Sequence, residues 1–458
     1  MPEANRSPFS RIVDALELRR YLTRADILRA ALIVSAVVPF LLVAPRPREA
    51  TRFYWMLTIV ELGGPVHVVK NVDSWEFEHD AEHPGDLFTF AHRHWQSRPL
   101  SIGLGWLLSQ PFRLAGMPTK QIMTPEQGRE LVGKPPYPSV YNAYSPQYAG
   151  YILMNWMILV VSVLLLKPLL RGRSFFEPRV FPAVSLLLVN MVTKAFFWTP
   201  HVQIFSVLLG VASLILIRPL LPRARTLRLR DASLIGVVIG IGSLAYGAFA
   251  VAAGSAALVI LFGDGKDALM RELRRRVTVC LTLLSSFFVP AIVWAGILVL
   301  RTGAVYSPET QRYHEFVWIY EQIPNGPRVF LPLLAKHLSS YIGFAVHVAI
   351  IPSLLMAALV IFFYRLQIPE RLVHSDDDSR HAAIFYLIAN SAFYASMGFY
   401  AERLAWTITP ALLLILGLQM GLVDSRLTGK RRLLFRAAVI ATGAGYAIHY
   451  IAKSGPFA

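Results

Sequence analysis

Long apolar runs recur along the whole of this 458-residue chain, and they limit its folding more than any other feature it has. A run of about 20 apolar residues is long enough to cross a bilayer as a helix. In lipid only helices or closed barrels satisfy every backbone group, and the alternation that a barrel strand needs is absent here. The runs lie at 27–44, 148–167, 180–198, 202–221, 232–246, 247–262, 277–300, 341–364, 381–399, 404–423 and 434–451. The expected fold is therefore all-α: a polytopic transmembrane bundle of about eleven spans, read as one domain over residues 1–458. The pair 232–262 is the least distinct, since one tilted helix would also fit. Gly247 and its small neighbours permit a tight hairpin instead.

Charge tests that count. Only 16% of the residues are charged, yet the net charge is +17. In a soluble chain such an excess would point to nucleic acid. In a membrane chain it marks cytoplasmic loops, and no nucleic-acid partner is expected. With the N-terminus inside, the inside segments carry Arg19, Arg20 and Arg24; Arg171, Arg173 and Arg179; Arg223, Arg225, Arg228 and Arg230; Arg271 and Arg274–Arg276; Arg365, Arg371 and Arg380; and Arg426 with Lys430–Arg432. The short outside turns at Thr199–His201 and Tyr400–Arg403 are nearly uncharged. Merging the 232–262 pair would invert every later loop, so both helices are kept. The first run reads as a retained signal anchor in a cell inner membrane. Cys280 stands alone, so no internal disulfide staples the outer loops.

Two outer segments are long, 45–147 and 301–340. The first concentrates the chain's polar chemistry. It holds Asp73, Glu76, Glu78, Asp80, Glu82 and Asp86, and also His67, His79, His83, His92 and His94, interleaved with aromatic residues. Carboxylates at a membrane surface are natural bases for an acceptor hydroxyl. Asp73, Glu78, Asp80 and Asp86 are the candidates, with Asp80 and Asp86 favoured. A charge run that is simply solvated is the plainer alternative. Ser101–Leu114 reads as an interfacial helix, and Arg52–Glu61 as a second one. His79 and His83, four apart beside acids, have a spacing that also arises by chance in a histidine-rich loop. No metal site is assigned, although a divalent cation held by carboxylates and a substrate phosphate remains an option.

Ionisable residues at membrane depth carry a cost and mark sites. Asn190 and Lys194 are expected on one face of the third span. Arg403 sits where the ninth span meets the outside and opens the run Leu404–Pro410; the positive-inside bias disfavours it there, so an anionic lipid or pyrophosphate group would explain its presence. His347, Asn390 and His449 are expected to be satisfied inside the bundle.

Three segments carry a resemblance. Arg98-Pro99-Leu100 before an apolar helix is similar to the "GRPL" segment of bacterial O-antigen glucosyltransferases. Trp198–Gln203 occupies a short loop where those proteins place a polar or acidic residue. Glu402-Arg403 through Thr409-Pro410 is similar to the "RY-x-x-P-x-x-P" run of aminoarabinose and protein mannosyl transferases. With the long first outer loop, the chain resembles the C-type glycosyltransferase superfamily. It departs from that pattern in having Ser97 where glycine is usual and in lacking an acidic pair soon after the first span.

The resemblance implies a polyprenyl-phosphate sugar donor and a glycan or lipid acceptor, with inversion at the anomeric carbon. It would set the donor phosphate against Arg403, Lys194 and Arg98. Trp318, Tyr320 and His314 of the second outer segment would cover the acceptor, although an aromatic interfacial belt would look the same. The rival reading is a transporter or flippase of a lipid-linked or anionic substrate, which inverted repeats and broken helices would favour.

Overall fold

The computed structural model describes residues 22–43, 58–63, 66–70, 72–89, 96–121, 142–263, 266–305, 307–311, 314–365, 377–398 and 402–453. Among these residues the chain is helical throughout, apart from two short antiparallel ribbons. Six helices are long and apolar enough to cross a membrane: Arg24–Leu42, Pro146–Leu169, Val202–Leu220, Glu272–Thr302, Pro327–Ile350 and Arg403–Arg426. Phe181–Phe196, Gly247–Phe262 and Ser353–Phe363 are shorter apolar helices. These helices mark a membrane-embedded protein.

In chain order α1 is Arg24–Val37, started by a capping box in which Thr23 and Asp26 satisfy each other's backbone N–H. Strands β1 (Thr58–Gly63) and β2 (Val66–Lys70) follow, then α2 (Val72–Glu82) and α3 (Pro99–Leu114). The strand at Thr58–Gly63 corrects the expected interfacial helix at Arg52–Glu61; residues 52–57 lie outside the described residues. Thr58, Ile59 and Val60 are β-branched and pair with Lys70, Val69 and Val68. The apolar helix expected at 101–114 is present as α3. Strands β3 (Lys120–Gln121) and β4 (Asn142–Tyr144) form the second ribbon.

The third run is broken. α4 (Pro146–Leu169) is continuous, but α5 (Phe181–Leu188) stops before Asn190, whose side chain caps a new helix, α6 (Met191–Phe196). Asn190 and Lys194 therefore do not share a face of one straight helix. α7 (Phe205–Ile217) lies at the centre and packs on α4. α8 (Leu229–Ser243) and α9 (Ala250–Phe262) are separate helices, as the hairpin reading requires. α10 (Lys266–Thr302) lies against α8, where a Cβ on Gly236 or Gly240 would collide with the carbonyls of Leu283 or Phe287. Small residues four apart permit this backbone approach.

Residues 301–340, expected as an outer segment, hold most of the candidate span Pro327–Ile350, and the later part of the run expected at 341–364 is the shorter apolar helix Ser353–Phe363. After the short α11 (Pro308–Gln311) and α12 (Val317–Gln322), α13 (Pro327–Ala345) runs through a π-helical turn into α14 (Ile351–Arg365). That run is roughly 60 Å long at the α-helical rise, about twice a bilayer's apolar core. α15 (Asp377–Met397), α16 (Glu402–Ala405), α17 (Thr409–Arg426) and α18 (Gly429–Lys453) complete the bundle.

The two ends of the bundle differ in chemistry. At one end, Lys167 pairs with buried Asp26 at 2.7 Å. Also there, Arg218 donates to the Pro168 and Leu169 carbonyls, Arg276 to the Ile260 and Leu261 carbonyls, and Arg432 and Arg436 clasp Asp424. Basic groups at helix C-termini satisfy carbonyls that would otherwise lack partners. The opposite end collects α2, the N-terminus of α3, the Trp198–His201 turn, the α8–α9 turn and α16.

Candidate functional site

The site is built from that second end, and its floor is a fixed turn. Asn155 on α4 donates from Nδ2 to the carbonyls of Phe196, Phe197 and Thr199 at 3.1, 2.8 and 3.3 Å. The Tyr148 hydroxyl donates to the Trp198 carbonyl at 2.8 Å, and Trp198 Nε1 donates to the Val38 carbonyl at 3.0 Å. With its carbonyls occupied, the turn presents His201 in one orientation.

His201 is buried, and its Nε2 lies 3.0 Å from Asp73 Oδ2. The backbone N–H of Gln203 donates to His201 Nδ1 at 2.9 Å. Nδ1 is therefore the lone-pair nitrogen, and Nε2 carries the proton that it donates to Asp73. Burial pushes the imidazole's pKa below its usual value, and Arg403 and Arg98 push it the same way against Asp73. The ring is a neutral hydrogen-bond donor that holds one carboxylate oxygen.

A polar chain continues beneath. Gln203 Nε2 donates to the Tyr246 hydroxyl at 3.0 Å. Two arginines flank this line. The Arg98 guanidinium lies 5.9 Å from the Tyr246 ring centre, within the range of cation–π attraction. It also rests on Gly247, where an added Cβ would stand 3.0 Å from Nη1. The α3 N-terminus is held there by the Leu100 N–H, which donates to the Leu244 carbonyl at 3.3 Å. Arg403 lies 5.5 Å from the Phe196 ring, and that ring is 4.5 Å from His201. Among the described residues, the buried Arg403 Nε has no hydrogen-bond partner.

The sequence candidates therefore separate. Asp73, Arg98 and Arg403 come together around His201. Glu78 is buried in an ion pair with Lys70 and accepts from the Ser145 hydroxyl at 3.0 Å, which ties α2 to α4. Asp80 is buried on α2, and burial, helped by Glu76 and Asp86, pushes its carboxyl up to about 8. Asp86 lies 3.4 Å from His79. The Lys194 ammonium donates to the Val43 and Ile451 carbonyls. Trp318 Nε1 donates to the Ser396 carbonyl at 2.8 Å, and its ring stacks on Phe330 and lies tilted against His337. Tyr320 is exposed, and His314 adopts a left-handed backbone conformation. Trp318 packs on α13, which in turn contacts α16. Of the residues expected to be satisfied inside the bundle, Asn390 meets Tyr341, Tyr386 and Thr407.

Sequence reasoning assigned no role to His201, Gln203 or Tyr246. His201 stood in the quoted Trp198–Gln203 loop. The detectable signal was a histidine directly before an apolar helix, in a turn otherwise free of charge.

Chemically, the arrangement offers a carboxylate oriented by a neutral histidine, with two arginines beside it. This suits an anionic group whose neighbouring atom exchanges a proton. No family model, curated protein or solved structure matches the chain.

Proposed function

We propose that the protein is an inverting membrane glycosyltransferase that moves a sugar from a polyprenyl-phosphate donor to a glycan or lipid acceptor. The observation that carries this reading is the convergence of Arg98 and Arg403, from helices 305 residues apart in sequence, beside the Asp73–His201 pair. The bundle would sit in a cell inner membrane with eleven passes and the N-terminus cytoplasmic. The arginine end would then face outward, and the alternating basic end supports that orientation.

In this mechanism Arg98 and Arg403 hold the donor phosphate, and Asp73 takes the proton of the acceptor hydroxyl. The acceptor oxygen attacks the anomeric carbon from the face opposite the phosphate. The bond from that carbon to the phosphate oxygen breaks, and its electron pair leaves on the phosphate, where the fixed guanidinium charges meet it. His201 holds one oxygen of the Asp73 carboxylate and so orients the group toward the acceptor. Trp318, Tyr320 and His314 would cover the acceptor. Lys194 and Glu78 take no part, since each is committed to a tie between helices. A divalent cation is not needed for these steps.

The breaks at Asn190 and at the π-helical turn Val346–Ile350 favour a second reading, a transporter of the same anionic lipid class. Proteoliposomes with a radiolabelled polyprenyl-phosphate sugar separate the two. Sugar transfer that is lost in Asp73→Asn and in Arg403→Ala supports the enzyme. Directional movement of labelled lipid without transfer supports the transporter.

A further inference from the structure

At the far end of α2 from Asp73, a second cluster stands apart from the arginine site. His79, His83 and Asp86 each offer a ligand atom, and these atoms lie within 4.8 Å of one another. The two histidines are one helical turn apart and share a face, with ring centres 4.9 Å apart. Asp86 is brought back over them by successive turns, its N–H donating to the His83 carbonyl at 2.9 Å. The base of that turn is fixed. Leu87 is buried, and Gln96 Nε2 donates to its carbonyl at 2.8 Å. Residue 79 is about 9 Å along the helix axis from residue 73, so the cluster is not part of the proposed base.

We infer that His79, His83 and Asp86 bind a divalent transition-metal ion of the zinc class. Two imidazoles with one carboxylate select zinc, nickel or copper over magnesium or calcium, which prefer all-oxygen shells. Bonds of about 2.0–2.1 Å would draw the three donors together by roughly an ångström, a movement within rotamer reach for the exposed His83. Glu76 and Glu82, on the same helix, add negative charge around a dication. Three protein ligands leave one position open to water or a substrate oxygen. The ion would cross-link the C-terminal end of α2 to the following turn and so stiffen the helix that carries Asp73.

The test uses the full chain in detergent, freed of its purification tag and treated with chelator. Titration with Co²⁺ should give visible d–d bands that saturate at one equivalent and are displaced by Zn²⁺. His83→Ala and Asp86→Asn should each weaken Co²⁺ affinity at least tenfold, while His314→Ala leaves it unchanged. Zn²⁺ should raise the melting temperature of the wild type and not of the two variants. Because His83 is exposed, the metal-free melting temperatures of wild type and His83→Ala should agree. The inference fails if no saturable bands appear, or if both variants bind Co²⁺ as the wild type does. Neither outcome depends on sugar transfer, so failure here is distinguishable from failure of the glycosyltransferase reading.

Discussion

His201 Nε2 and Asp73 Oδ2 lie 3.0 Å apart, joining residues 128 positions distant in sequence. The bond orients a carboxylate without neutralising it, because the imidazole that makes it is uncharged. Asp73→Asn keeps the shape and removes the base. Transfer is expected to fall by roughly 10²-fold or more, the usual contribution of a positioned base, with the melting temperature nearly unchanged. His201→Gln should fall less, since a side-chain amide can still donate. Steady-state transfer rates on the two variants check the order.

The same histidine gives stability a pH dependence. Its folded pKa lies below the ordinary 6.5, chiefly through burial. Between those values the unfolded chain binds the extra proton, so stability rises with pH across that window. It is fully present above about 6.5 and is lost as the pH falls below it. Thermal melts in detergent from pH 8 to pH 5 should decline on the acid side, and His201→Gln should flatten that part of the curve.

Gly247 supports Arg98 by having no side chain. In Gly247→Ala the new methyl would meet a mobile guanidinium nitrogen at 3.0 Å rather than a backbone atom. The fold should tolerate the change and Arg98 should shift. The expected result is a KM for the donor raised about tenfold, as for the loss of roughly one charged hydrogen bond, with little change in melting temperature. Gly236→Ala makes the contrast, because its Cβ would strike the α10 backbone and the protein should lose stability.

The buried Lys167–Asp26 pair joins α4 to α1. Lys167→Met leaves Asp26 with Thr23 and with Arg29 at 3.6 Å, so the loss should fall short of the roughly 3–5 kcal/mol of a buried charge stripped of every partner. Lys167→Met combined with Asp26→Leu should recover much of that loss. A denaturation series on the single and double variants measures the coupling.

The sequence showed the helices well and the site unevenly. Among the described residues helices lie in the expected apolar runs, six of them long and apolar enough to cross a membrane, because transfer of apolar surface is local and additive along a chain. The break at Asn190 was not visible, since asparagine within an apolar run reads equally as a buried polar residue or as a cap. The strand at Thr58–Gly63 was also mistaken for a helix. Its β-branched residues and the Gly63-Gly64-Pro65 sequence carried the correct signal, but aromatic residues just before it suggested an interfacial helix. Arg403 stood out because it defies the charge bias around it, and Arg98 through the Arg98-Pro99-Leu100 resemblance. Asp73 could not be chosen among six acids, because the choice depends on which of them meets His201, a partner from another helix pair.

Lys194 draws on two distant parts of the chain, the carbonyl of Val43 just past the first helix and that of Ile451 near the end of α18. An ammonium in hydrocarbon is costly until such oxygens surround it. During synthesis the second of them arrives some 250 residues after the lysine itself. Until then the Val43 carbonyl is the one of these two oxygens that the ammonium can reach. A chain truncated within α18 before Ile451 should therefore leave the ammonium one oxygen short, a loss set by residues far from the lysine in sequence.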